Sequence, residues 1–304
     1  GRNLRGTLYY FDENGGVAST MPVDIVDGGR TDYPGHVGLG GSTARQAVGL
    51  VQFVPEPSET VSYYMTLTRY FYEGSPGVAQ PDLRTAFVIP ERPATGLTLA
   101  GGASTKGGVI SIVEMTNVSN RPVNTAVQVF SGSGANLGLA NYQVPARGTR
   151  HAILNRNGET GFLADEVEAS AQVLTGDGQL GSRSLFYRLD ERGALVYAYA
   201  AAMNATDEVV QLSQYNSFID QTNTLELTNT GSRNLTLDIS ALRFNGQLVF
   251  HQSVSLPAFG TTQLLLNTPR DEYGTVIMQS SQPGFIARSL TSRISEYAIP
   301  NRAE

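Results

Sequence analysis

The acidic run Asp12-Glu13-Asn14-Gly15, within YYFDENGGVA, carries oxygen atoms that could bind a calcium ion. Calcium takes several oxygen ligands, and acidic loops supply them. The same run could instead only turn the backbone, because Asn and Gly adopt the positive φ angles of tight β-hairpins. The choice depends on whether the acids recur wherever this element recurs in the chain.

Two further groups of acids stand in loop-like sequence: Asp24, Asp27 and Asp32 of DIVDGGRTD, and Asp165, Glu166 and Glu168 of ADEVEAS. The Gly-rich first group offers calcium flexible oxygens, but a solvated loop with Asx turns explains it better. The second group is expected to form a solvated acidic turn. We predict no metal ligands in either group.

No pattern of nucleophiles, bases or glycines indicates catalysis. His36, His151 and His251 lie in different parts of the chain, so a shared metal is not expected, and no GxSxG turn is present. In GGASTKGG (101–108) the lysine precedes its glycines, unlike a phosphate loop, and GLGGSTARQ (38–46) lacks GxGxxG spacing. We therefore predict no catalytic, cofactor-binding or metal-binding residue, no cofactor and no enzyme activity.

Aromatic and amide side chains offer two weaker binding hypotheses. An exposed aromatic strip in the first third of the chain could bind a glycan or a protein, although strand alternation would turn half of these rings inward: Tyr9, Tyr10, Tyr63, Tyr64, Tyr70 and Tyr72. Three triplets fit the N-glycosylation pattern, which also arises by chance in a chain this rich in Thr and Asn: Asn117, Asn204 and Asn234.

Composition favours short strands and excludes several partners. Charged residues are 16% of the chain, against roughly 25% in ordinary domains, while the 33 glycines and 14 prolines disfavour long helices. The net charge of −6 and the lack of Lys/Arg clusters argue against nucleic acid. With no cysteine there is no disulfide or thiolate site, and no apolar run is long enough to span a membrane.

An internal repeat is the most informative feature. EMTN ends at Asn117 and ELTN at Asn229, 112 residues later, and VPARGT (144–149) matches LPAFGT (256–261) at the same offset. A third copy at the start aligns at 119 to 120 residues, where DENG corresponds to SGSG and then to RFNG. The acids are absent from the later copies but Gly persists, so we predict a hairpin turn and not a calcium loop.

Within the copies, apolar residues alternate with polar ones, which is typical of half-buried antiparallel strands. About seven strands in each copy predict an all-β fold of three tandem immunoglobulin-like β-sandwiches, over residues 1–95, 96–207 and 208–304. The helical turns we expect are confined to STARQAV (42–48) and ADEVEASA (164–171).

The layout LxLxN, a Gly hairpin and (V/L)PAxGT resembles the tandem immunoglobulin-like modules of bacterial surface proteins, including the CARDB-type adhesion modules. This resemblance covers most of the chain through strand-and-turn patterns. It implies an extracellular or cell-surface, non-catalytic role in adhesion, spacing or assembly, and it assigns no functional residue.

The first module lacks the strand that carries EMTN and ELTN in the other two, because its counterpart would precede Gly1. Losing four inward side chains removes roughly 6–12 kcal/mol, comparable to the stability of a domain. Either upstream sequence was removed or another molecule supplies the strand. We therefore expect a bacterial surface or filament subunit that self-associates or binds a protein at this module. The alternative is a glycan- or protein-binding accessory region of a larger secreted protein.

Overall fold

The computed structural model of the chain describes residues 2–40, 48–57, 60–73, 82–89, 96, 98–156, 160–176, 179–204 and 208–293. Nearly every regular element in these ranges is a β-strand, and every strand pairing is antiparallel. Helical structure there is limited to one four-residue helix and the 3-10 turn Phe218–Asp220. The predicted all-β class is confirmed.

The first unit contains a three-stranded sheet, ordered β2-β1-β3, and a separate hairpin, β4-β5. Its small core is built around Leu8, Tyr10 and Val23 and includes no residue of the hairpin. Its elements are β1 (Leu4–Asp12), β2 (Val17–Ile25), α1 (Gly35–Gly38), β3 (Gly49–Pro55), β4 (Leu67–Glu73) and β5 (Asp82–Ile89).

The second unit is a sandwich of two four-stranded sheets, ordered β6-β11-β8-β9 and β10-β7-β12-β13. One core, formed by inward residues such as Val113, Val127 and Val173, lies between the sheets. Its strands are β6 (Thr98–Gly102), β7 (Val109–Asn117), β8 (Val123–Ser131), β9 (Asn136–Val144), β10 (Thr149–Ile153), β11 (Ala169–Thr175), β12 (Leu180–Leu189) and β13 (Leu195–Ala202).

The third unit repeats this sandwich, with sheets ordered β14-β19-β16-β17 and β18-β15-β20. Leu225 and Leu227 from one sheet meet Leu237, Ile239 and others from the facing sheet in a single core. Its strands are β14 (Val210–Asn216), β15 (Gln221–Asn229), β16 (Leu235–Arg243), β17 (Leu248–Leu256), β18 (Thr261–Leu266), β19 (Tyr273–Ser280) and β20 (Phe285–Arg293).

The predicted strand alternation explains these cores. Leu235, Leu237 and Ile239 are buried, whereas the intervening Thr236 and Asp238 are exposed. Successive side chains of a strand point to opposite faces, so one face of β16 meets the core and the other meets water. The predicted domain boundaries remain predictions.

One predicted helical turn, over 164–171, is wrong. Residues 165–166 form a turn and β11 begins at Ala169, with Ala169, Ala171 and Val173 all in the core. Core contacts at every second residue are the periodicity of a strand, and the packing of this strand overrides the helical propensity of Ala and Glu. The other predicted helical turn lies outside the described residues except for Val48.

The first unit is less complete than the sequence predicts. By register, β1, β2 and β3 correspond to β8, β9 and β11. Among the described residues, nothing pairs with β3 as β6 pairs with β11, and β4 pairs only with β5, whereas β12 lies between β7 and β13. Counterparts of both β6 and β7 are thus absent from this part of the chain.

The asparagine that ends the EMTN and ELTN motifs ties three segments of each complete sandwich together. The Asn117 side-chain amide donates to the backbone carbonyls of Arg121 (2.7 Å), Val144 (3.2 Å) and Pro145 (2.9 Å). Asn229 donates to the carbonyls of Arg233, Leu256 and Pro257 in the same way. The repeated Asn therefore joins the end of one strand to the two turns beside it.

Replacing Asn117 with Ala should lower the free energy of unfolding by about 2–3 kcal/mol. Three carbonyls lose their hydrogen-bond donor, and a buried group without a partner costs about 1–3 kcal/mol. Thermal and urea unfolding of the full chain will measure the loss. Asn141→Ala, an exposed change on β9, is the control and should shift stability by less than about 0.5 kcal/mol. Equal effects of the two variants would contradict this role.

Candidate functional site

A buried carboxylate lies on the outer face of the second sandwich, where the first unit covers it. Glu114 of β7 has a side chain only 4% exposed, and His151 and Arg183 are its direct cross-strand neighbours on β10 and β12. Arg183 Nε lies 3.1 Å from Oε1, and His151 Nε2 lies 2.8 Å from Oε2. Arg69 of β4 completes the cluster, with Nη2 3.1 Å from Oε2.

This arrangement keeps the carboxyl group ionised. Burial by itself would raise the pKa of Glu114, but the His151 hydrogen bond and the charges of Arg69 and Arg183 outweigh it and lower the pKa to about 2. A carboxylate held among three basic side chains, with its pKa far below neutrality, neither takes up nor releases a proton near neutral pH. The cluster is therefore suited to holding two units together.

The third sandwich repeats the buried acid. Glu226 of β15 pairs with Arg288, its cross-strand neighbour on β20, on the face that meets the second sandwich. The Arg288 guanidinium lies 4.7 Å from the centre of the Phe186 ring and 5.8 Å from that of Tyr199. These two rings stack on each other at 4.6 Å. Aromatic faces of β12 and β13 thus cover this ion pair through cation–π contacts.

Strand β12 contacts both neighbouring units because adjacent residues face opposite ways. Tyr187 packs edge-on against Phe71 and Phe87 of the β4-β5 hairpin, at 5.9 and 6.4 Å. Phe186, one residue earlier, contacts Arg288 of the third sandwich. The β4-β5 hairpin therefore packs on the second sandwich, although the sequence assigns it to the first.

A second contact joins the units at their turns. The hairpin turn 12–15 lies against the turn 145–148, and the Glu13 carbonyl accepts a hydrogen bond from the Thr149 backbone N–H at 3.0 Å. The Arg147 guanidinium lies 5.1 Å from the centre of the Phe11 ring. We call 12–15 a hairpin turn and 145–148 a docking turn.

The second and third sandwiches make the same contact with hairpin turn 131–134 and docking turn 257–260. The Gly132 carbonyl accepts from the Thr261 N–H at 3.1 Å, and the rings of Phe130 and Phe259 stack at 4.6 Å. The hairpin residues lie 119 positions after their counterparts in the first contact, and the docking residues 112 positions after theirs. One junction is therefore built twice.

Each hairpin turn needs its glycine at this junction. Gly15 and Gly134 have φ of +84° and +83°, and a β-carbon there would lie 1.8 and 1.9 Å from the carbonyl oxygens of Ala146 and Ala258. A side chain would be strained by the backbone and would also collide with the docking turn.

The DENG sequence forms a turn, as predicted, and Asp12 accepts the N–H groups of Asn14 and Gly16.

The structure does not bring the histidines together. His151 belongs to the Glu114 cluster, His251 lies on β17 with Nδ1 3.1 Å from the Ser240 hydroxyl, and His36 lies in α1. Asp24 and Asp32 are in ion pairs with neighbouring arginines. In the ranges that the structure describes, no group of three or more His, Asp or Glu is placed to hold a metal.

The glycine-rich segment 101–108 binds an anionic group of the same protein, the carboxylate of Glu166. The Glu166 carboxylate accepts the backbone N–H groups of Gly107 (2.9 Å) and Gly108 (2.7 Å), and these hydrogen bonds lower its pKa. Lys106 pairs with Glu168. The acidic turn and the glycine loop, which the sequence presents as separate features, therefore fasten each other. In the other glycine-rich stretch (38–46), residues 41–46 lie outside the described residues.

The aromatic strip is divided between the core and the surface. Tyr10 is buried, whereas Tyr63 and Tyr64 are exposed and Tyr63 packs edge-on to Phe53 at 5.0 Å. The side chain of Tyr72 lies outside the described residues. Among the glycosylation triplets, Asn117 is buried, which leaves its amide inaccessible to a glycan in the folded chain.

Sequence reasoning missed the junction residues. Glu114 and Glu226 recur in EMTN and ELTN, and Arg183 and Arg288 recur in the two RSL motifs. Charged residues repeated inside otherwise apolar strands were the available signal, since a charge is buried only when a partner neutralises it. Their contact with the neighbouring unit has no local signature.

Replacing Glu114 with Gln should destabilise the chain by about 3 kcal/mol at pH 7, because Arg183 loses its buried counter-ion. The carboxyl pKa falls from its usual 4.5 to about 2 on folding. The stabilisation is therefore complete above pH 4.5 and is lost as the pH falls toward 2. Thermal midpoints between pH 2 and 7 should show a shallower acid decline in E114Q than in the parent. The exposed control, Glu191→Gln, should keep the parental slope.

Replacing Gly134 with Ala should weaken the junction between the second and third sandwiches. Gly193, in the turn between β12 and β13, has a similar φ of +79°, but a β-carbon there meets no atom within 4 Å. Both variants incur the backbone strain, and only G134A adds the collision, worth about 1–3 kcal/mol. Differential scanning calorimetry should show a larger loss for G134A. Equal losses would mean that the turn contact contributes nothing.

No protein-family model and no curated protein matches the chain. Among solved structures, a protein of Parabacteroides distasonis described as secreted has a TM-score of 0.19 and 8% identity, over 76% of this chain and 89% of its own. An infectious bursal disease virus structure has a TM-score of 0.11. Neither likeness supports an argument about fold or function. No helix in the described ranges is long and apolar enough to cross a bilayer.

Proposed function

We propose that this chain is a non-catalytic structural subunit of an extracellular or bacterial cell-surface assembly. The observation that carries the proposal is the pair of open strand edges in the first unit. Among the described residues, β3 and β4 each present an edge that the second sandwich fills with β6 and β7. An unpaired edge offers backbone N–H and C=O groups to an incoming strand, and a neighbouring molecule can supply one.

The placement of the charged residues supports a structural role. Glu114, Arg183 and His151 are bound to one another beneath the first unit, and Glu166 is bound to the glycine loop. Each of these groups makes its hydrogen bonds or ion pairs with other groups of the chain. These charged side chains form contacts within the sandwiches and between them.

The purified chain should form regular polymers visible by electron microscopy as its concentration rises. If a neighbour completes the first unit, amide hydrogen exchange in β3 and β4 should slow in the polymer, while exchange along β9, an edge strand of the second sandwich, should not change. Light scattering and exchange mass spectrometry on the same samples will measure both. Monomers at every concentration, with β4 exchanging at a constant rate, would contradict the proposal.

A further inference from the structure

The third sandwich has a hairpin turn that no docking turn covers within the described residues. In turn 243–246 the Arg243 N–H bonds to the Gln247 carbonyl and the Gly246 N–H to the Arg243 carbonyl, as in the two earlier hairpin turns. Gly246 has φ +83°, with no atom within 4 Å of a β-carbon built on it. Phe244 is 76% exposed. The turn thus has the geometry of 12–15 and 131–134 without their partner.

The first unit has a turn with the geometry of a docking turn. The Gly29 N–H bonds to the Val26 carbonyl at 2.8 Å, as Gly148 and Gly260 bond to the proline carbonyls that begin the two known docking turns, at 3.0 Å each. In all three cases the turn follows the strand that pairs with the hairpin's first strand: β2, β9 and β17. Turn 26–29 is therefore a third copy of the docking turn.

The backbone conformations agree at the residue before that glycine. Arg147 and Phe259 have φ of 54° and 58°, which non-glycine residues rarely adopt, and Gly28 has φ of 70° in the corresponding place. A β-carbon on Gly28 would meet no atom within 4 Å, and Val26 is 64% exposed. Within the described residues, this docking turn faces no hairpin turn.

We propose that hairpin turn 243–246 of one copy binds docking turn 26–29 of a second copy, repeating between chains the junction that each chain builds twice within itself. The Arg30 N–H would donate to the Phe244 carbonyl, as Thr149 and Thr261 donate to theirs. This deepens the proposed function by assigning the surfaces that join the subunits. The two surfaces differ and lie on different units, so the contact is heterologous and continues from copy to copy.

The contact between copies is weaker than its counterparts within the chain. Leu242 and Gly28 stand where the internal junctions have the stacked rings Phe130–Phe259 and the cation–π pair Phe11–Arg147, so the aromatic contribution is lost. A contact between separate molecules also lacks the linker that gives the internal junctions a high effective concentration. The interaction is therefore best detected by covalent cross-linking of the two copies.

The chain has no cysteine, so single thiols can be placed on each surface. The F244C variant, converted to its mixed disulfide with thionitrobenzoate, is mixed with reduced R30C; the thiolate of R30C displaces thionitrobenzoate and forms a disulfide-linked dimer. The control is activated E191C, at the matching position of the β12–β13 turn. We expect release of thionitrobenzoate to be about tenfold faster from F244C than from E191C. Equal rates would overturn the proposal and leave these turns to another occupant.

A second measurement uses G246A, whose β-carbon would meet the docking turn of the next copy, and G193A as its control. Gly193 has φ +79° in the same kind of turn and no atom near its β-carbon. G246A should abolish the tenfold preference and disrupt polymers, and G193A should do neither. If G246A forms polymers as well as the parent does, the proposed contact between turns is wrong, but the proposed structural function is not contradicted. A selective cross-link without polymers would support the contact and refute the filament.

Discussion

Burial of a carboxylate on the outer face of a sheet is the constraint on which the arrangement of units depends. A buried charge is tolerated only when it is neutralised and hydrogen-bonded, and Glu114 and Glu226 each obtain an arginine from the neighbouring strand. One arginine does not exclude water from an outer face. The preceding unit provides that cover, through Arg69 at the first junction and through Phe186 and Tyr199 at the second. Separating the units would expose an ion pair that is arranged for a dry environment.

The contact between a hairpin turn and a docking turn is defined by backbone geometry, which explains why the sequences of the turns differ between the two junctions. The hairpin turn requires a residue with positive φ and a carbonyl directed at the docking side, and DENG and SGSG both meet this requirement. The docking turn supplies a left-handed residue, which is Arg in one copy and Phe in the other, and the threonine after it supplies the N–H. Side chains then add a different contact in each place, cation–π at Phe11 and stacking at Phe130.

The local features of the fold could be predicted from the sequence, and the contacts between units could not. Alternation at Leu235, Leu237 and Ile239 predicts a strand because burial follows the same period. Gly15 predicts a turn because its neighbours are strands. The helical turn at 164–171 failed because the core, which local propensity does not report, selected a strand. Nothing near Arg69 in the sequence indicates Glu114, since a contact across so many residues depends on packing.

The side-chain pairs at the two turn contacts have a consequence for how the chain could be altered. Phe11 faces an arginine, and Phe130 faces a phenylalanine. The hairpin side of both contacts carries a phenylalanine at the matching position, so either ring would suit either docking turn. The residue on the docking side, Arg147 or Phe259, alone decides whether the contact is cation–π or aromatic stacking, and exchanging that single residue would convert one kind of contact into the other.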